Sequence, residues 1–157
     1  MIPLKPTAVS FGAVSGIVTS IGLIVGFAAA GISKPTIVAG LLIVGIADNL
    51  TDSLSIHVYQ ESEHLEQRAA FWATLGNFAT RIAVSISFVL LVIFLSSLSA
   101  ALVSFAWGIS LLAGLTWFIA KSRGANAAIE IFKHLAVAIT VVGASRMIGG
   151  LIGAYVH

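Results

Sequence analysis

TIVAGLLIVGIADNLTDSLSIHVYQESEHLE, residues 36–66, holds the reading that decides the fold. Its first eleven positions, Thr36 to Ile46, carry no charge and suit a bilayer interior. Two aspartates, Asp48 and Asp52, then follow where that interior continues, and from Ile46 to Glu66 there is no proline or glycine to end a helix. A membrane-crossing helix needs about 20 mainly apolar residues. The expectation is therefore one long helix, apolar at its start, with ionisable groups inside the membrane and a polar end leaving it. Ionisable side chains at that depth are costly and mark a partner, a cavity or a conduction path.

At about 100° per residue, the polar side chains of this helix fall on two faces. Asp48, Asp52, Ser55 and Tyr59 form a narrow oxygen-rich stripe, widened by Asn49 and Thr51. Carboxylate and hydroxyl oxygens favour hard divalent cations, and two carboxylates one turn apart can share a cation or take up protons. His57, Glu61 and His64 form a second stripe nearly opposite. Imidazole and carboxylate at i, i+4 and i+7 have metal-ligand spacing for transition metals. Each stripe also has a plain structural alternative. The acids could enter an interhelical network with Asn77 and Arg81, and the histidine face could simply be solvated.

The rest of the chain places this helix in a membrane protein. Hydrophobic residues make up 59% of the 157 positions and charged residues 9%, with a mean hydropathy of +1.08; soluble domains carry about 25% charged residues. Four further apolar segments are expected, at about 8–31, 70–96, 100–120 and 129–156, with the quoted helix over 36–66. Together they form an all-α membrane protein of five transmembrane helices, with short connections and no second domain. Ala28, Ala29 and Ala30 resemble a signal-peptide cleavage site, but the segment before them exceeds the roughly 7–15 residues of a signal-peptide core, so a retained first helix is expected. Lys5, Arg68, Lys121, Arg123 and Lys133 fall on one side of a five-helix bundle and only Lys34 on the other. Cytoplasmic loops are enriched in such residues, which puts the N-terminus in the cytoplasm and the C-terminus outside.

Several function classes recede. No basic cluster marks nucleic-acid binding, and the absence of cysteine removes thiolate and iron–sulfur chemistry. No GxSxG, Walker A or GxGxxG sequence is present. Two acids on one helix do not make an aspartyl protease, whose acids approach from different helices. No enzyme activity and no tightly bound cofactor are expected; the partners expected are membrane lipid and a second copy of the chain. Small-xxx-small pairs at Gly12/Gly16, Gly22/Gly26 and Gly149/Gly153 mark the first and last helices for tight packing or dimerisation. His134 and His157 read as incidental. Arg146 lies well inside the last segment and needs a carboxylate, a cavity or a route to the surface; Asp48 or Asp52 is the expected partner.

Three stretches resemble the vacuolar iron transporter family: SGIVTSIGLIVGFAAAG (residues 15–31), IVAGLLIVGIADNLTDSLSIHVYQESE (37–63) and the glycine-rich HLAVAITVVGASRMIGGLIG (134–153). The match in the second helix runs through Ala39-Gly40-Leu41 and Leu54-Ser55. The resemblance implies a dimeric five-helix bundle in a prokaryotic cytoplasmic membrane that exports a divalent cation, Fe²⁺ or Mn²⁺, in exchange for protons. It also implies a changed site. The family's first-helix aspartate falls at Ser15, its second-helix methionine at Ile56, and its next acidic position near Gln60 or Glu61. The cytoplasmic metal-binding helices of the longer members are absent between helices two and three. Asp48 and Asp52 stand where the family has small residues. The expected metal set is thus Asp48, Asp52, His57, Glu61 and His64, with Ser15, Asn49, Ser55, Tyr59, Asn77, Arg81 and Arg146 lining the path or its ion-pair network.

Overall fold

The structure is a computed structural model that describes residues 6–62 and 67–156. Five helices occur in order: α1 (Pro6–Ala29), α2 (Lys34–Ser62), α3 (Gln67–Phe94), α4 (Ser97–Ser122) and α5 (Ala127–Tyr155). All five are long and apolar enough to cross a membrane, and no strand occurs among the described residues. The protein is thus an all-helical membrane-spanning bundle.

Every helix starts two or three residues before the expected apolar segment: α3 and α4 begin on polar residues, and α5 begins at Ala127 behind its Asn126 cap. Pro35 does not delay α2; it occupies the first turn, where its missing N–H has no helical partner to lose. Ser96 caps α4 by accepting from the Ser99 N–H, and Asn126 caps α5 by accepting from the N–H groups of Ala128 and Ile129. Gly31 and Gly124 end α1 and α4 with positive φ, 71° and 67°. At each, the next residue donates back five positions, Ile32 to Phe27 O and Ala125 to Ala120 O, which closes the helix end with a left-handed residue that glycine adopts freely.

Helix α1 is the hub. It packs against the other four helices, while α2 packs chiefly on α3 and α4 on α5. Ile17, Ile21 and Ile24 of α1 are buried with Leu41, Phe88, Val92, Leu112 and Ala138. In lipid the hydrophobic effect does not separate inside from outside, so close approach and polar pairing hold helices together. The glycines supply that approach. A Cβ at Gly12 would lie 2.5 Å from the Asn77 carbonyl, and one at Gly16 would lie 3.2 Å from Arg81 Cγ. Gly22 and Gly26 face Ser145 of α5, while Gly149 and Gly153 abut Gly26 and Ala30. All three glycine pairs are therefore used inside one chain. The outward surfaces carry Ile43, Leu50 and Leu54 on α2, Leu90 and Phe94 on α3, and Trp117 and Phe118 on α4. These side chains suit contact with acyl chains.

Candidate intramembrane charge site

Asp48 is the midpoint residue of α2, and Arg81 sits at the midpoint of α3. The two helices run antiparallel, so a carboxylate and a guanidinium meet near the middle of both helices. Arg81 donates to both acids of α2, through Nη2 to Asp48 Oδ2 at 3.0 Å and through Nη1 to Asp52 Oδ2. Its side chain is 3% exposed, against 44% for Asp48 and 29% for Asp52. The arginine is thus enclosed, while each acid keeps one oxygen free of the guanidinium. Gly16 makes this possible: without a Cβ, α1 comes close enough to cover the Arg81 stem.

The formal charges of the three groups sum to one negative charge. Inside a bilayer that charge needs a proton, a cation or a cationic group from elsewhere. The surrounding helix surfaces are correspondingly polar. Asn49 and Asn77 are wholly buried, and Asn49 Nδ2 donates to Phe78 O at 2.9 Å. Asn49 Oδ1, Ser53 Oγ, Thr74 Oγ1 and both amide atoms of Asn77 are buried with no protein hydrogen-bond partner among the described residues. A buried polar atom left unpaired costs about 1–3 kcal/mol, and such atoms are ordinarily satisfied by water or an ion. Asn49, Ser53 and Thr74 lie along the contact of α2 with α3, while the Asn77 amide faces Gly12 of α1. From Arg81 to Thr74 the seam runs toward the N-terminal side for about 10 Å at the helical rise. A cavity of about 250 Å³, lined by Ser53, Phe71, Thr74, Leu75 and Phe78, adjoins its end. In the other direction Arg81, Thr19, Ser20 and Ser85 line a slot of about 10 Å³ together with Leu23 and Leu41. That is the size of a single water, and beyond it the buried core is apolar apart from Ser104 of α4, whose Oγ is also buried with no partner among the described residues.

The expected metal residues separate. Asp48 and Asp52 come together, but on Arg81. Ser55 shares their stripe and turns back to donate to Thr51 O at 2.9 Å, and Tyr59 is exposed. His57 is half-buried on α2. The Glu61 side chain and His64 lie outside the described residues. Among the described residues, no group of three or more His, Asp or Glu side chains is placed to hold a metal. Ser15 is half-buried on α1.

The expected pairing of Arg146 with Asp48 or Asp52 does not occur. Arg81 takes both acids because it is level with them on the adjoining helix. Arg146 lies on α5, which packs on α1 and α4. Two features escaped the sequence reading. Asn77 packs against Gly12, a contact visible only once α1 and α3 are aligned. His134 is half-buried, with Nδ1 3.3 Å from Thr116 Oγ1, and so ties α5 to α4.

No family model, curated protein or solved structure matches this chain.

Proposed function

We propose that the protein is a cation transporter with the iron-transporter-like dimeric architecture, which moves a divalent ion such as Fe²⁺ or Mn²⁺ from the cytoplasm in exchange for protons. The observation that carries the proposal is the buried seam of unpartnered polar atoms leading from the N-terminal side to an acid pair of net negative charge. The resemblance of the α1, α2 and α5 sequences to that family supports the same reading. So does the lysine and arginine excess on the N-terminal side, which fits a cytoplasmic placement of that side.

Arg81 sets the mechanism. It is a tethered counter-ion that competes with the transported cation for Asp48 and Asp52. A divalent ion needs both carboxylates, so it binds as the guanidinium swings away. On release, Arg81 returns and the remaining charge is met by a proton. The core beyond the slot beside Arg81, apolar but for Ser104, closes the path on the C-terminal side in this conformation. His57, Glu61 and His64 would gather cations at the cytoplasmic mouth.

One observation favours a second reading. Arg81 bonds both acids in the same conformation, as in a fixed network that only holds α2 against α3; the protein would then be a non-transporting membrane scaffold or partner subunit. Flux of Fe²⁺ and Mn²⁺ in proteoliposomes separates the two. Transport predicts flux in the wild type and its loss in Asp48→Ala and Asp52→Ala, with the oligomer intact by size-exclusion chromatography. Unchanged flux in both variants sinks the mechanism, and no flux in the wild type favours the scaffold. Calorimetric titration with Fe²⁺, Mn²⁺, Zn²⁺ and Ca²⁺ gives the ion preference.

A further inference from the structure

Arg146 sits five residues beyond Val141, the midpoint of α5, which places its Cα about 7.5 Å from the centre of the helix. It is exposed and makes no hydrogen bond or ion pair among the described residues. The acids whose side chains are described are all engaged: Asp48 and Asp52 by Arg81, Glu130 by Lys133 at 3.0 Å. No acid with a described side chain is left to pair with Arg146.

The surroundings of Arg146 narrow what its counter-anion can be. Arg146 lines a cavity of about 610 Å³ between α1, α4 and α5, walled by Val25, Ala28, Ala29, Ala101, Phe105 and Val142. Ala29 is the last residue of α1, and Ala101 lies in the first turns of α4. The cavity therefore runs from the level of Arg146 to the helix ends on the C-terminal side, where the membrane surface lies. Its walls are aliphatic or aromatic, and the alanines at its outer end leave width for a headgroup. Arg146 supplies the one charge. A long arginine side chain can follow such a groove toward the surface and keep its head in a polar layer.

We propose that this groove is a binding site for a phospholipid with an anionic headgroup, drawn from the leaflet on the C-terminal side. The guanidinium of Arg146, extended along the groove toward Ala29 and Ala101, engages the phosphate as a bidentate donor, and one acyl chain runs inward against Val25, Phe105 and Val142. This site shares no residue with the Asp48–Arg81–Asp52 group and stands whether or not the protein transports a cation.

Native mass spectrometry of protein released from nanodiscs containing equal dioleoyl phosphatidylglycerol and dioleoyl phosphatidylcholine tests the proposal. A basic side chain near a membrane surface favours anionic lipid by about 1 kcal/mol, or about fivefold. The wild type is expected to retain phosphatidylglycerol over phosphatidylcholine by about that factor. R146Q should bring the ratio to that of the bulk lipid, and R146K should keep part of the preference. A101F, which fills the groove, should reduce retention of both lipids while the thermal midpoint in detergent stays near that of the wild type. A wild-type ratio equal to the bulk, or an undiminished preference in R146Q, overturns the proposal. So does a disulfide between R146C of one copy and D48C of another, which would make the counter-anion a second copy of the chain. The native chain has no cysteine, so that cross-link has no background.

Discussion

Substitution of Arg81 by glutamine tests the charge site most directly. In the wild type the guanidinium lies 3.0 Å from Asp48 and also bonds Asp52. With an effective dielectric near 20, one contact at 3.0 Å is worth about 5 kcal/mol of attraction before desolvation is subtracted. Removing one partner of a buried pair costs about 3–5 kcal/mol, because the other charge is left without compensation. The lower figure applies here, since an aspartate left without its partner in hydrocarbon can neutralise by taking up a proton. R81Q is therefore expected to lose about 3 kcal/mol of stability against unfolding in mixed micelles. The same change removes the tethered competitor, so R81Q that remains folded should bind Mn²⁺ more tightly than the wild type. The triple variant R81Q/D48N/D52N separates charge from packing. It keeps side chains of similar size that can hydrogen-bond one another, and should recover all but about 1 kcal/mol, the worth of an imperfectly replaced hydrogen bond. R81Q as stable as the wild type would refute the claim that Arg81 compensates buried acids. A triple variant as unstable as R81Q would show that the loss comes from packing, not charge.

Two other expectations rest on the α1–α3 and α2–α3 contacts. Gly12→Leu should destabilise the bundle by at least about 1–3 kcal/mol through overpacking, because even a Cβ would sit 2.5 Å from the Asn77 carbonyl; Gly114→Ala, with nothing within 4 Å, should be neutral or stabilising in the same unfolding assay. Asn49→Ala removes the bond to Phe78 O and should cost about 1 kcal/mol, read as faster amide exchange in the Ser53–Phe78 region.

Hydropathy is a local property, which is why the five spans could be read from the chain. So could the intramembrane position of Asp48 and Asp52, since both follow the apolar run of α2 within two turns. The depth of Arg81 was harder, because AAFWATLGNFAT, residues 69–80, contains neither a breaker nor a charge to mark where α3 begins. The use of the glycine pairs was not local at all. Small-xxx-small spacing states that a helix face can approach another backbone closely, but the same spacing serves a second copy or a neighbour in the same chain. Here the neighbours are α3 for Gly12 and Gly16, and α5 for Gly22 and Gly26.

The two intramembrane arginines show the division most sharply. The sequence alone placed Arg146 well inside an apolar segment, left the depth of Arg81 open, and required for a charge at such depth a carboxylate, a cavity or a route to the surface, because the cost of an unpaired charge in hydrocarbon does not depend on the fold. Which arginine meets the acids depended on the order of helices around α1 and on their relative rotation and height. Those are set by contacts between residues far apart in the chain: Gly16 against Arg81, Asn49 on Phe78, and Ser145 between Gly22 and Gly26. That packing gives both aspartates to Arg81 and leaves Arg146 facing a groove that runs to the membrane surface.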